Sequence, residues 1–128
     1  SLVTDCCVPI SSLASCIFKT KEAIKESDLL APLVGHVGDG NYHLLILFDG
    51  TTRDGLKRAK ELAGRVNEIA LSFGGTITGE HGVGTGKKNF MHLEHGKAWN
   101  LMGDIKKLFD PKNIMNPGKL VPDQNSEI

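Results

Sequence analysis

Apolar positions along the chain follow two different periods, and the changes of period predict the order of the elements. Runs of crowded or alternating apolar residues predict strands, and apolar residues recurring every three to four positions predict amphipathic helices. The predicted elements are, in order, a strand at 2–8, a helix at 12–26, strands at 33–36 and 43–48, a helix with an apolar stripe over 56–73 and a short strand at 76–78.

This order predicts an α+β fold, a ferredoxin-like β-α-β-β-α-β arrangement with an antiparallel sheet and helices on one face. Thr51 or Thr52 is the predicted N-cap of the second long helix, and Gly74 is its predicted left-handed C-terminal residue. Helical patterns at 87–92 and 98–109 add C-terminal helices. Since 128 residues suffice for one core, the sequence predicts a single domain over residues 1–128.

The first stretch that indicates chemistry is Gly-His-Val-Gly-Asp-Gly-Asn-Tyr-His at residues 35–43. Asp39-Gly40 is typical of a two-residue hairpin turn, because Asp and Gly tolerate the positive φ angles that a type I′ turn requires. Such a turn predicts that His36 and His43 are directly opposed, with Cβ atoms about 5 Å apart. Two imidazoles at that separation can share a metal ion; the alternative is two ordinary polar residues on a half-exposed hairpin.

A second candidate segment, Gly-Glu-His-Gly-Val-Gly-Thr-Gly at residues 79–86, follows the last predicted strand. Glu80 would complete a set of two histidines and one carboxylate, which suits zinc, manganese or ferrous iron and leaves positions open for substrate. His81 is then available for proton transfer beside the metal. The alternative is an exposed loop with solvated charges. The topology predicts that Glu80 approaches the two hairpin histidines.

Composition excludes some classes of function. The 15 basic and 15 acidic residues balance to zero formal net charge, which argues against a general binder of nucleic acid or anionic membranes. No apolar run approaches the roughly 20 residues that a membrane span needs. Cys6, Cys7 and Cys16 do not form a disulfide framework and predict reduced thiols in an intracellular compartment.

Four short motifs occur together in this order: Thr-Asp-Cys-Cys-Val-Pro at 4–9, the hairpin motif at 35–43, Thr-Gly-Glu-His-Gly-Val-Gly at 78–84 and Phe-Asp-Pro-Lys-Asn-Ile-Met-Asn-Pro-Gly-Lys-Leu at 109–120. Together they resemble the C-terminal region of FAD-linked D-lactate dehydrogenases, flavoenzymes of the vanillyl-alcohol oxidase type. The resemblance covers residues 3–120. It implies that His36, His43 and Glu80 are ligands of a divalent metal, zinc or manganese, and that His81 is the active-site base.

The resemblance also implies contacts with the flavin and the substrate. Asn116, within Asn-Pro-Gly-Lys, matches a position near the flavin ring, and Asn41 falls on the substrate side of the hairpin. Relatives that oxidise D-2-hydroxyglutarate are expected to carry Asn two residues after the second hairpin histidine. Leu45 stands at that position here, which favours a smaller, less polar substrate such as D-lactate.

The function implied by the resemblance is FAD-dependent oxidation of D-lactate to pyruvate, with the chain as the C-terminal part of the substrate or cap domain. FAD would be held mainly by an N-terminal domain outside these residues, so the chain is expected to be inactive alone. Implied partners are the 2-hydroxy acid, the remainder of the flavoenzyme and a downstream electron acceptor; the implied location is mitochondrial if eukaryotic and otherwise cytoplasmic. The alternatives are an FAD-linked glycolate or D-2-hydroxyglutarate oxidoreductase, a small metal hydrolase or non-haem iron protein, a stand-alone metal-binding domain, and a non-catalytic module for assembly in which the histidines are structural.

Overall fold

The computed structural model describes residues 1–123, which fall into two compact units divided after Glu80. The elements of the first unit are β1 (Leu2–Val3), β2 (Cys6–Cys7), α1 (Ile10–Ser27), β3 (Leu33–Val34), a 3-10 turn (Val37–Asp39), β4 (Asn41–Ile46) and α2 (Arg53–Ser72). The second unit contains α3 (Lys88–His95) and α4 (Ala98–Phe109). The assignment of one domain to residues 1–128 extends past the described residues and stays a prediction.

The first unit is built on an antiparallel sheet in which β1, β2 and β3 all pair with β4. β1 and β2 keep one register along β4, so the predicted strand at 2–8 is observed as one strand interrupted at Thr4 and Asp5. At the interruption, the Thr4 N–H donates to the Leu44 carbonyl at 3.1 Å, and the Thr4 hydroxyl accepts from the Leu44 N–H at 3.0 Å. The predicted α+β fold with an antiparallel sheet is confirmed.

The two long helices begin and end for local reasons. α1 starts two residues before the predicted 12–26 range, because the Pro9 carbonyl already accepts from the Ser12 N–H at 2.8 Å. The predicted cap of α2 is confirmed, since the Thr52 hydroxyl accepts from the Gly55 N–H at 3.1 Å. Gly74 follows α2 with a φ of 71°, as predicted for a left-handed terminal residue.

α1 and α2 pack against each other, and α2 also packs against the strands, which encloses the core of the first unit. Inside this core the Tyr42 hydroxyl lies 3.3 Å from both the Cys16 thiol and the Thr20 hydroxyl. Burial raises the pKa of the Tyr42 hydroxyl and the pKa of the Cys16 thiol. Both groups therefore stay protonated at neutral pH, and Cys16 is a structural thiol rather than a reactive one.

The connection between β3 and β4 differs from the predicted two-residue turn. Val34, rather than His36, pairs with His43, and the 3-10 turn leads into Gly40. Gly40 does have the predicted positive φ, at 79°. Its carbonyl, however, accepts from the Val8 N–H at 3.0 Å, and this tertiary bond ties Gly40 beside the end of β2. A longer connection is then needed to reach β3.

The predicted closing strand at 76–78 is also shorter than expected. Only Thr76 pairs, in a single antiparallel bridge with Cys7. The Thr76 hydroxyl accepts from the Thr78 N–H at 3.1 Å, and this local bond takes the N–H group that a longer ladder would use. The chain leaves the sheet here and continues to Glu80.

The second unit confirms the predicted helix at 98–109, while the helix predicted at 87–92 is observed as Lys88–His95. The contacts that link the chain after α4 to the rest of this unit include two at Leu120: the Trp99 indole donates to the Leu120 carbonyl at 3.0 Å, and the Leu120 N–H donates to the Gly84 carbonyl at 2.9 Å. Among residues 1–123, no helix combines the length and the apolar character needed to cross a bilayer.

Candidate metal centre

His43 is the buried member of the candidate centre, with 8% of its surface exposed. Its Nδ1 lies 3.2 Å from the Thr4 carbonyl oxygen, and its Nε2 lies 2.9 Å from Oε1 of Glu80. Because a carbonyl oxygen only accepts, Nδ1 is the nitrogen that donates, and the lone pair of a neutral ring is then on Nε2. A lone pair and a carboxylate that face each other both attract a cation, either a proton or a metal ion.

Glu80 and His36 complete the group on its exposed side. Oε1 of Glu80 lies 3.8 Å from Nε2 of His36, and the ring centroids of His36 and His43 are 6.4 Å apart. The side chains of His36 and Glu80 are 68% and 50% exposed, whereas that of His43 is 10% exposed. One donor is therefore held in the protein and two face solvent, which leaves the centre open to a small molecule.

The donor types and their surroundings fit a divalent transition metal. Two imidazoles and one carboxylate form a ligand set that zinc, manganese and ferrous iron accept. The Thr4 carbonyl orients the His43 ring in the way that outer partners of metal-binding histidines do, by binding the N–H opposite the ligating nitrogen. The assignment of His36, His43 and Glu80 as ligands stays a prediction; Oε1 of Glu80 lies 2.9 Å from Nε2 of His43 and 3.8 Å from Nε2 of His36.

Asp5 adds a second carboxylate to the candidate centre, and it was not predicted from the sequence. Its carboxylate is fully buried, and its donor atom lies within 4.8 Å of those of His43 and Glu80. The signal that could have found it is a carboxylate within an apolar strand, since a buried charge requires nearby partners.

Asn41, the predicted substrate-side residue, is 6% exposed and points into this buried layer. Its Nδ2 donates to Oδ1 of Asp5 at 3.1 Å and to the Cys6 carbonyl at 3.3 Å. Its Oδ1 has no hydrogen-bond partner within the described part of the chain. A contact with substrate stays a prediction, and the contacts observed for Asn41 are with Asp5 and Cys6.

His81 and Asn116 belong to the second unit. His81 is exposed and follows Glu80 directly along the chain. Asn116 is also exposed and has a left-handed backbone, with a φ of 46°. The predicted roles of His81 as base and of Asn116 as flavin contact stay predictions.

The loop before Asn116 is organised by Asp110, which is 4% exposed. The Asp110 carboxylate accepts from the N–H groups of Ile114 and Met115 at 3.1 and 2.9 Å, and it pairs with the Lys106 ammonium. The hydrogen bond from Lys106 holds the pKa of this carboxyl below its usual value, with smaller contributions in the same direction from the two N–H groups, although desolvation opposes the shift.

We expect Asp110→Asn to lower the melting temperature of the chain by several degrees at pH 7. Because the folded pKa of Asp110 is depressed, its stabilising contribution is present above the pKa of the unfolded chain and is lost as pH falls through the folded value. The difference between wild type and Asp110→Asn should therefore shrink in strong acid. Calorimetry at pH 7 and near pH 3 checks this. Asp104→Asn, on an exposed carboxylate of α4, the helix that precedes Asp110, is the control, and an equal loss in both variants would contradict the role of Asp110.

Comparison with known proteins identifies the family. Residues 1–120 match the family described as FAD linked oxidases, C-terminal domain, and the chain belongs to this family. It is 46% identical over 123 residues to D-lactate dehydrogenase (cytochrome), mitochondrial, of Arabidopsis thaliana, an alignment that covers 95% of the chain and 22% of the relative. This confirms the resemblance to FAD-linked D-lactate dehydrogenases.

Two further relatives carry the names of two different enzymes. The chain is 43% identical over 119 residues to the probable D-lactate dehydrogenase, mitochondrial, of Danio rerio, covering 92% of the chain and 24% of the relative. It is 35% identical over 121 residues to the glycolate oxidase subunit GlcD of Bacillus subtilis, covering 94% of the chain and 26% of the relative. The chain thus spans 22–26% of the length of these relatives.

Proposed function

We propose that this chain supplies the metal-binding part of the active site in an FAD-dependent D-2-hydroxyacid dehydrogenase that oxidises D-lactate to pyruvate. The observation that carries the proposal is the convergence of His36, His43 and Glu80 in a chain that belongs to the FAD-linked oxidase family. The relatives named D-lactate dehydrogenase support D-lactate as substrate, and their names support a mitochondrial location if the source is eukaryotic.

Different residues of this chain have different proposed roles in the reaction. His36, His43 and Glu80 would hold a zinc or manganese ion, which would supply Lewis acidity towards the C2 hydroxyl of the substrate. FAD would be held mainly by parts of the enzyme outside this chain, with Asn116 near its ring, and would supply the acceptor for the C2 hydride. A ring nitrogen of His81 accepts the hydroxyl proton.

Their positions suit these roles. His43 is fixed from behind by the Thr4 carbonyl, so it presents Nε2 without a change of rotamer or tautomer. The side chains of Glu80 and His36 are exposed to solvent, which leaves them accessible to a substrate. His81 directly follows Glu80 along the chain and is itself exposed, so the proposed base is adjacent in sequence to a proposed ligand.

Leu45 supports a small substrate with an apolar substituent. It lies two residues after His43 on β4, so both side chains leave the same face of the sheet. A partly exposed leucine on that face favours the methyl group of D-lactate over the second carboxylate of D-2-hydroxyglutarate. Glycolate, which lacks the methyl group, is the second candidate, because the Bacillus subtilis relative is named a glycolate oxidase subunit.

The test uses the full-length enzyme that carries this sequence, with dye reduction measured for D-lactate, glycolate and D-2-hydroxyglutarate. We expect D-lactate to have the highest kcat/KM, and we expect chelation of the metal to abolish turnover until zinc or manganese is returned. Glu80→Gln should lower metal affinity by more than about 100-fold, beyond the loss typical of an outer-shell change.

Glu68→Gln is the matched control, since Glu68 is an exposed carboxylate on α2 of the same unit. Full D-lactate turnover by enzyme shown to be free of metal would contradict the proposed centre. Metal-dependent oxygen uptake by the chain in the absence of flavin would instead favour the non-haem iron alternative.

A further inference from the structure

We infer that Asp5 is a positioning residue of the metal centre, a buried carboxylate that holds the backbone of Glu80 in place on the sheet beside His43. The inference rests on the metal-binding role proposed above and adds a residue that is not itself a ligand. It concerns the layer directly beneath the donors, where the interrupted strand formed by β1 and β2 meets β4 and the segment that carries Glu80.

Both oxygens of the Asp5 carboxylate are bound by N–H donors. Oδ1 accepts from Nδ2 of Asn41 at 3.1 Å, and Oδ2 accepts from the main-chain N–H of Glu80 at 2.9 Å. The Asp5 carbonyl also accepts from the Gly79 N–H at 3.3 Å. Hydrogen bonds to a buried carboxylate are strong, and here they fasten the backbone at Glu80 to the sheet.

Asp5 also lies behind His43. Its Oδ1 is 3.6 Å from Nδ1 of His43, whereas Glu80 faces Nε2 of the same ring. The distance is too long for a good hydrogen bond, and the Thr4 carbonyl takes that bond. Asp5 and the Thr4 carbonyl both lie on the Nδ1 side of the ring, which leaves the Nε2 side to Glu80. Since its oxygens are engaged and it faces the other nitrogen, Asp5 positions the ligands rather than joining them.

Because Gly79 has no side chain, the segment that carries Glu80 can lie close to the side chains of Asp5 and Asn41. A Cβ atom at this residue would lie 2.5 Å from Nδ2 of Asn41 and 2.7 Å from Oδ1 of Asp5. Both of those side chains are short, buried and hydrogen-bonded, so neither can move aside easily. A glycine is therefore required if the Glu80 segment is to dock on the Asp5–Asn41 pair.

The experiment measures zinc affinity of the chain by competition with a chromophoric chelator. We expect Asp5→Asn to weaken zinc binding about 10- to 100-fold, as removal of an outer-shell partner does. Gly79→Ala should weaken it by a similar factor, because it keeps the carboxylate but blocks docking of the segment. Thr20→Val is the control: it removes a buried hydrogen bond to Tyr42 in the same unit, and it should lower the melting temperature while zinc affinity stays at the wild-type value.

A second readout separates positioning from ligation. X-ray absorption of the zinc-saturated Asp5→Asn chain should show the same number of protein ligands as wild type, and loss of one oxygen ligand would overturn the inference. Equal zinc affinity in wild type, Asp5→Asn and Gly79→Ala would overturn it as well, with the proposed function intact. If the wild-type chain binds neither zinc nor manganese, the proposed centre itself fails and the role of Asp5 fails with it.

Discussion

Replacing His81 with alanine in the full-length enzyme is expected to lower kcat for D-lactate oxidation about 10²- to 10⁴-fold, the usual contribution of a positioned general base. The C2 hydroxyl proton must leave as the hydride departs, and His81 is an exposed titratable residue that directly follows Glu80 along the chain. An interaction made only in the transition state affects kcat and kcat/KM equally, so KM for D-lactate should change little.

The control for this experiment is His92→Ala, which removes an exposed histidine of α3 in the same unit and should leave kcat unchanged. Metal content distinguishes the roles of neighbouring residues: His81→Ala should retain the metal, whereas Glu80→Gln should lose it. Wild-type kcat in His81→Ala would contradict its role as base, and loss of metal in that variant would identify His81 as a ligand instead.

The helices were predictable from sequence because their signals are local. The α4 range follows directly from an apolar stripe that ends at Asp110-Pro111, and the cap at Thr52 needs only a hydroxyl and an N–H three residues away. The strands were less predictable in extent, since hydrogen bonds from remote segments decide where a ladder begins and stops. A local hydrogen bond can also end a strand. The Thr76 hydroxyl accepts from the Thr78 N–H, and the strand expected at 76–78 is reduced to one bridge.

In the candidate centre, too, features set by nearby residues were predictable and contacts between distant residues were not. The proximity of His36 and His43 was predicted, but from a register in which they pair directly, and Val34 is the observed partner of His43. The two ring centroids are 6.4 Å apart although His36 lies outside β3, at the N-terminal cap of the 3-10 turn. Asp5 was missed because its partners, Asn41 and Glu80, are distant in sequence, and no spacing rule connects them.

Gly40→Ala is expected to destabilise the chain by about 3 kcal/mol or more, at the upper end of single substitutions. Two costs add at this residue. A left-handed conformation, with a φ of 79°, costs a non-glycine residue about 1–2 kcal/mol. The new Cβ would also lie 2.1 Å from the Val8 carbonyl oxygen, which is main chain and cannot rotate away.

Gly38→Ala, two residues earlier in the same loop, is the matched control for Gly40→Ala. A methyl group added at Gly38 would have no heavy atom within 4 Å, and the φ of this residue is outside the left-handed range, so we expect a change within about 0.5 kcal/mol. Urea unfolding of both variants measures the difference. Because Gly40 lies between His36 and His43, moving it away from Val8 also displaces the two proposed ligands, and zinc affinity should fall in Gly40→Ala alone. Equal stability of the two variants would contradict the loop conformation on which the proposed metal centre depends.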